Sequence, residues 1–252
     1  MRNLDYKKLV SEIQKWIKDY VANTNFDGVV MGISGGIDSA VTAALCVEAL
    51  GKDQVLGLSL PCGSLKEDIN DAHLLAEAIN LQLLEFDLTN VYDTFLETVD
   101  SQIEADKVAK GNIRARLRMV AWYYVGQSKC NRLVVGTSNR TEIAIGYFTK
   151  YGDGAADFKP IGGLYKCEVR EIAKILGIPR KIIEKPPSAG LWKGQTDEEE
   201  IGLSYDLLDE IIYHIDYNLN LEKFNDQDVK KVQKMMSSSE HKKTRAPIFK
   251  IR

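Results

Sequence analysis

Two serines, two glycines and an aspartate fall within six residues, Ser34-Gly35-Gly36-Ile37-Asp38-Ser39. The stretch joins an apolar run, "GVVMGI", to an apolar-periodic one that begins at Ala40. Glycines there permit a sharp turn and let another group approach the backbone closely. Ser34 and Ser39 offer hydroxyl donors, and a helix starting at this point adds unpaired N–H groups at its positive end. Such a junction suits an anion, phosphate above all. Asp38 would repel a phosphate unless a cation lay between them, so the stretch points to phosphate chemistry with a metal.

The surrounding pattern supplies elements to hold that loop. Leu9/Val10, Ile13, Ile17 and Tyr20/Val21 repeat at helical spacing, and "GVVMGI" then reads as a buried strand. "QVLGLSL", "LQLLEF" and "RLVVG" read as three more strands. Helical stripes lie between them: Ala40 to Leu50, Ile69 to Ile79, Val91 to Val99 and Ile113 to Tyr124. Apolar strands alternating with helices predict a parallel sheet covered on both faces, with ligands at the carboxyl ends of its strands. Gly146 to Lys166 is glycine-rich and too long for a plain connector. A helix through Val169, Ile172 and Leu176 follows, ended by Gly177 and Pro179. Glu184 to Glu200 reads as a mobile loop closed by a capping box, Thr196 with Glu199. One helix is expected from Ile201 to Ile215 and another from Asp226 to Met236, before a polar tail.

Composition narrows the function. The 252 residues are 44% hydrophobic, enough to bury a full core, and residues 1–252 read as one domain. A net charge of −3 offers no basic face for nucleic acid. No apolar run approaches the length of a membrane span, and the N-terminus lacks the apolar block of a signal peptide. Cys46, Cys62, Cys130 and Cys167 form no C-x-x-C, so reduced thiols and a cytoplasmic setting are expected. His73, His214 and His241 are scattered, which disfavours zinc.

Neither a Walker A loop nor a G-x-G-x-x-G fingerprint is present. Ser-Gly-Gly-x-Asp-Ser directly after a strand instead resembles the pyrophosphate loop of the ATP pyrophosphatases. Three further segments resemble the ammonia-dependent NAD synthetase family within that group: "GTSNRTEIAIGYFTKYGDGAADFKPIGGLYK", "KGNIRARLRM" and "SEHKKTRAP". The resemblance runs from about Gly32 to Pro247. It implies a Rossmann-like α/β fold of the adenine nucleotide alpha hydrolase kind, with a helical C-terminal extension. It also implies amidation of deamido-NAD by ammonia, with ATP split to AMP and pyrophosphate through an adenylate.

Site roles follow from the resemblance residue by residue. Gly32, Ile33, Ser34, Gly35, Gly36, Ile37, Asp38 and Ser39 match the ATP loop, with the two serine hydroxyls expected on pyrophosphate. Asp38 and Glu142 match a pair of Mg²⁺ carboxylates. Thr137 and Lys166 match ATP contacts, and Ser188 matches the hydroxyl of a loop that closes over ATP. Tyr147 matches a ring stacked on nicotinate. Arg116, Lys150, Asp157, His241 and Lys242 match deamido-NAD contacts. Asp153 matches a carboxylate near ammonia, expected to accept a proton as a general base, its backbone bent by Gly152 and Gly154. A turn aspartate is the plainer reading of that residue.

Some relatives carry arginine and tyrosine where this chain has Ser59 and Cys62, so a basic ATP contact is either absent or supplied elsewhere. The synthetase-like region leaves no room for a glutamine amidase domain, so external ammonia or a separate subunit is the expected nitrogen source. A homodimer is implied as well, and the helices around Val91–Val99 and Ile113–Tyr124 are apolar enough to form its contact. Two rivals are a tRNA thiolase, disfavoured by cysteine spacing and charge, and a non-catalytic nucleotide sensor. The sensor would not need Asp38, Glu142 and Asp153 together.

Overall fold

A computed structural model describes residues 1–103, 105–128, 131–188, 194 and 196–251. Helix α1 (Tyr6–Ala22) starts where the Asp5 carboxylate accepts the Lys8 N–H, and it buries Val10, Ile13, Ile17 and Val21. Next come β1 (Gly28–Gly32), α2 (Ile37–Leu50), β2 (Val55–Ser59), α3 (Lys66–Ala78), β3 (Gln82–Glu85), α4 (Thr89–Asp100), α5 (Lys107–Gln127) and β4 (Arg132–Val134). The second half is helical: α6 (Arg140–Ile145), α7 (Lys166–Ile175), α8 (Arg180–Glu184), α9 (Asp197–Ile201), α10 (Tyr205–Asp216), α11 (Asp226–Ser238) and α12 (Glu240–Lys243). Among the described residues no helix is long and apolar enough to cross a membrane.

All three strand pairs are parallel, in the order β3-β2-β1-β4. The chain therefore leaves β1 toward β2 on one side and reaches β4 on the other, which opens a crevice at their carboxyl ends. Ile17, Val41, Leu45 and Ile172, from α1, α2 and α7, pack in the core against Val29 and Met31 of β1. On the opposite face α5 lays Trp122 and Val125 against Val30, Leu56, Leu58 and Val134. A second apolar cluster joins α6, α10 and α11 through Ile145, Leu208, Ile211, Ile212 and Val232.

Four local expectations are corrected. The third strand is not covered on both faces: β3 ends the sheet, and most of its residues are exposed. The helix expected from Ile201 to Ile215 is two, because Gly202 turns left-handed at φ +71 and Ser204 caps a new start by accepting from the Leu207 N–H. Thr196 makes no side-chain cap bond, and the acids after it turn to more distant partners. Asp197 receives the Tyr205 hydroxyl, and Glu198 receives the Tyr205 N–H. The polar tail contains the short helix α12. Residues 189–193 and 195 of the Glu184–Glu200 loop lie outside the described residues.

Candidate active site

The cleft at the carboxyl end of the sheet has a backbone wall and a side-chain wall. The backbone wall is the Ser34–Ser39 loop. Gly35 sits at φ +78, and a Cβ there would fall 2.4 Å from the Asp68 carbonyl oxygen, so both conformation and space require glycine. Ser34 Oγ accepts from the Gly36 N–H at 3.3 Å, and Ser39 Oγ donates to the Gly36 carbonyl at 2.9 Å. The two hydroxyls lie 3.1 Å apart. The serines expected to hold pyrophosphate are thus committed to bracing the loop itself. Gly36 caps α2 with no side-chain bond, which leaves the first-turn N–H groups of this helix facing the cleft.

The opposite wall starts from Asn139, fully buried at the head of α6. Its side-chain oxygen accepts the Glu142 N–H at 2.9 Å, and Glu142 Oε2 accepts the Asn139 N–H at 3.3 Å. This is the capping-box pattern that sequence reading assigned to Thr196 and Glu199; Asn-x-x-Glu was its visible signal. The Asn139 amide also donates to Asp38 Oδ1 at 2.9 Å, across the cleft. The free oxygens, Asp38 Oδ2 and Glu142 Oε1, then converge on one ammonium. Lys166 Nζ lies 2.5 and 3.2 Å from them, 2% exposed, and 4.7 Å from the centre of the Tyr205 ring. Burial works against the Lys166 charge, yet the carboxylates outweigh it and hold its pKa above the usual lysine value. Burial and the neighbouring Asp38 charge push Glu142 up. Asp38 and Glu142 are hard oxygen donors of the kind Mg²⁺ takes, but the point where they meet is filled by the Lys166 ammonium, which would have to withdraw for an ion to be held there.

Thr137, Ser188, Tyr147, Asp153 and Lys242 also line the cleft. The Tyr147 hydroxyl lies 3.1 Å from Asp197 Oδ1 and 2.9 Å from Glu200 Oε2, and burial followed by these acids raises its pKa. Lys242 donates to the carbonyls of Gly146 and Phe148 at 2.9 and 3.0 Å, so it clamps the segment that carries Tyr147. Asp153 accepts the Thr149 N–H at 2.9 Å, the bond of a turn residue, while still facing the cleft, where burial raises its pKa. Its glycine neighbours do not bend it, because neither has a positive φ. They are small for packing: a Cβ on Gly154 would come within 2.4 Å of the Phe148 ring.

The other residues expected on deamido-NAD lie outside the cleft lining. Arg116 donates to the Lys150 carbonyl at 3.3 Å and Lys150 to the His241 carbonyl, so these three form a belt beside α12. Asp157 stands apart, tied to β4 through the Val134 N–H at 2.7 Å. Sequence reading missed Arg118. It lines the cleft next to β2, donates to the Leu60 carbonyl and Ser64 hydroxyl, and supplies a basic group near Ser59. Its motif was visible, but its neighbour Arg116 drew the assignment.

The family model for NAD synthase matches residues 9–246. The NH3-dependent NAD(+) synthetase of Pyrococcus furiosus is 44% identical over 255 aligned residues, spanning 98% of this chain and 96% of that one. The structure of NMN synthetase from Francisella tularensis superposes with a TM-score of 0.90 at 35% identity, covering 99% of this chain and all of the other. NH3-dependent NAD synthetase from Campylobacter jejuni, solved with nitrate, gives 0.85 at 31% identity over 98% of this chain. Agreement of that extent, in sequence and in shape, makes the chain a member of the NAD synthase family and one of its carbon–nitrogen ligases.

Proposed function

We propose that the chain amidates deamido-NAD with ammonia, cleaving ATP to AMP and pyrophosphate through an adenylated nicotinate carboxylate. The observation that carries this reading is the pairing of two walls. An uncapped helix start on the glycine loop, which itself carries Asp38, faces Glu142 and Lys166 in one crevice. The loop N–H groups receive the pyrophosphate end of ATP, and Leu58, Leu60 and Trp122 offer an apolar berth for its adenine. Attack of the nicotinate carboxylate on the α-phosphorus forms the acyl-adenylate and expels pyrophosphate. Lys166, itself buried, places a fixed positive charge beside that developing negative charge. Asp38 and Glu142 would hold Mg²⁺, which supplies further charge neutralisation when bound.

Tyr147 would support the nicotinate ring. Asp153 would accept a proton from ammonium so that the nitrogen lone pair can attack the acyl carbon and release AMP. Arg116, Lys150, Asp157 and His241 would reach deamido-NAD from the rim, and Ser188 would close over ATP. Val91, Phe95, Val120 and Tyr124 expose apolar side chains on α4 and α5, which supports a two-fold homodimer through that face. Free thiols at Cys46, Cys62 and Cys167 support a cytoplasmic setting.

Product analysis tests the reaction. AMP and pyrophosphate should form only when ATP, Mg²⁺, ammonium and deamido-NAD are all present; ADP and phosphate would overturn it. A second acceptor is favoured by the 0.90 superposition on an NMN synthetase, namely nicotinate mononucleotide. Comparing kcat/KM for the two acceptors decides between them. Light scattering tests assembly, and an active species of about 28.3 kDa would contradict the dimer.

A further inference from the structure

Glu142 and Lys166 reach the same point from different helices, and the backbone under each must be fixed for them to meet. Lysine has a flexible four-carbon stem, so burial of its tip alone does not set where it starts. In the first turn of α7, which begins at Lys166, Glu168 accepts the Tyr165 N–H at 2.9 Å, but the cap residue's own side chain offers the next N–H groups no acceptor. Tyr165 holds the cap position, but its hydroxyl donates to Asp216 at 2.7 Å. The missing acceptor comes from α10. Asp209, 1% exposed, accepts the Cys167 N–H on Oδ2 at 2.8 Å and the Lys166 N–H on Oδ1 at 3.3 Å. The same Oδ1 accepts the hydroxyl of Thr141, the residue before Glu142. Thr141 Oγ is also 3.2 Å from the Lys166 N–H, and Thr141 is fully buried.

We infer that Asp209 is a positioning residue for the reaction, holding the first turn of α7 against the first turn of α6 and so setting where Lys166 meets Glu142. Its three partners, drawn from two helices, are all donors, which an acceptor-only carboxylate fits and an amide does not. Asp209 is absent from the cleft lining and touches neither wall's open surface, so it acts through Lys166 and Glu142. A carboxylate at the start of a helix also favours the positive end of its dipole, a stabilising role that needs no catalytic consequence. The two roles separate in kinetics. A cap alone changes melting temperature, whereas a lever on the active site changes turnover at temperatures where the protein is fully folded.

The inference rests on the proposed roles of Glu142 and Lys166, so Lys166→Met serves as the control. Asp209→Asn should lower kcat on the order of 100-fold, as displacement of reacting groups by about 1 Å does. Its KM for deamido-NAD should stay within about threefold of the parent, because the dinucleotide contacts stand on other elements. Thr141→Val should act in the same direction, and Thr141→Ser, which keeps the hydroxyl, should behave like the parent. The double variant Asp209→Asn/Thr141→Val should be no worse than Asp209→Asn, as expected of groups acting as one unit. A lowered melting temperature with kcat within about threefold of the parent would overturn the inference, as would effects that multiply. If Asp209→Asn does not fold, the threonine pair decides, and a Thr141→Val enzyme with parental kcat overturns it. Parental turnover in Lys166→Met would instead remove the reading of Lys166 itself.

Discussion

The two walls of the cleft are built on opposite terms. The loop between β1 and α2 is made of backbone: one left-handed glycine, two serines folded back on their own chain, and an open helix start over an apolar core. The facing wall is made of side chains drawn from α6, α7, α9 and α10, and it buries Asn139, Thr141, Lys166, Asp197 and Asp209. A local wall of the first kind depends on conformations that few residues can adopt. A wall of the second kind depends on polar partners meeting across long sequence separations, where each unmet group is costly. Damage to the first should therefore appear as lost stability, and damage to the second as lost chemistry.

Asp38, which belongs to the loop but faces the other wall, should show the largest effect. Asp38→Asn keeps the shape but removes a charge beside Lys166 and puts an N–H donor where both carboxylate oxygens accept, from Asn139 and from Lys166, so turnover should fall on the order of 1000-fold. Pyrophosphate release reads that loss, and circular dichroism should show the fold retained. Gly35→Ala attacks the loop itself, forcing a Cβ toward the Asp68 carbonyl at a positive φ. It should cost about 2–4 kcal/mol in urea unfolding. If Gly35→Ala were stable and merely slow, the division between the walls would fail.

Tyr147→Phe is a milder probe of the side-chain wall. It keeps the ring and removes the hydroxyl that bridges Asp197 and Glu200, and kcat/KM for deamido-NAD should fall about tenfold. The smallest effect is expected at the back of that wall, where Arg140 and Tyr165 both donate to Asp216. Burial alone would raise the Asp216 pKa, but these bonds outweigh it and hold the pKa below the ordinary carboxylate value. Its stabilising contribution is therefore complete above the unfolded pKa of about 4 and is lost as pH falls through the lower folded value. Asp216→Asn should cost about 1–2 kcal/mol at neutral pH. The parent and variant stability curves, measured by urea unfolding, should draw together progressively as the medium is acidified below the unfolded pKa of about 4. A gap that persisted there would show that the pair's contribution is not electrostatic.

The four strands with the helices between them, and the loop with its open helix start, were legible in the chain, because each is a matter of short-range periodicity or of a contiguous motif; the short helices α6, α8 and α12 were not. Gly35 and Asp38 stand within one six-residue motif, so their residue types were readable before their distant partners were known. The serines show where that reading stops: Ser34 and Ser39 were visible as donors, yet whether they turn to a ligand or to their own loop is set by three-dimensional packing. Only the tertiary structure decided that Asn139 links Asp38 to Glu142 and that Arg118 stands near Ser59. It alone decided that Asp209 reaches the head of α7 from 43 residues beyond Lys166. Those contacts join positions with no periodic relation in sequence. They exist because buried donors and acceptors must be paired by whichever element the fold brings alongside, and the chain's local pattern does not specify which element that is.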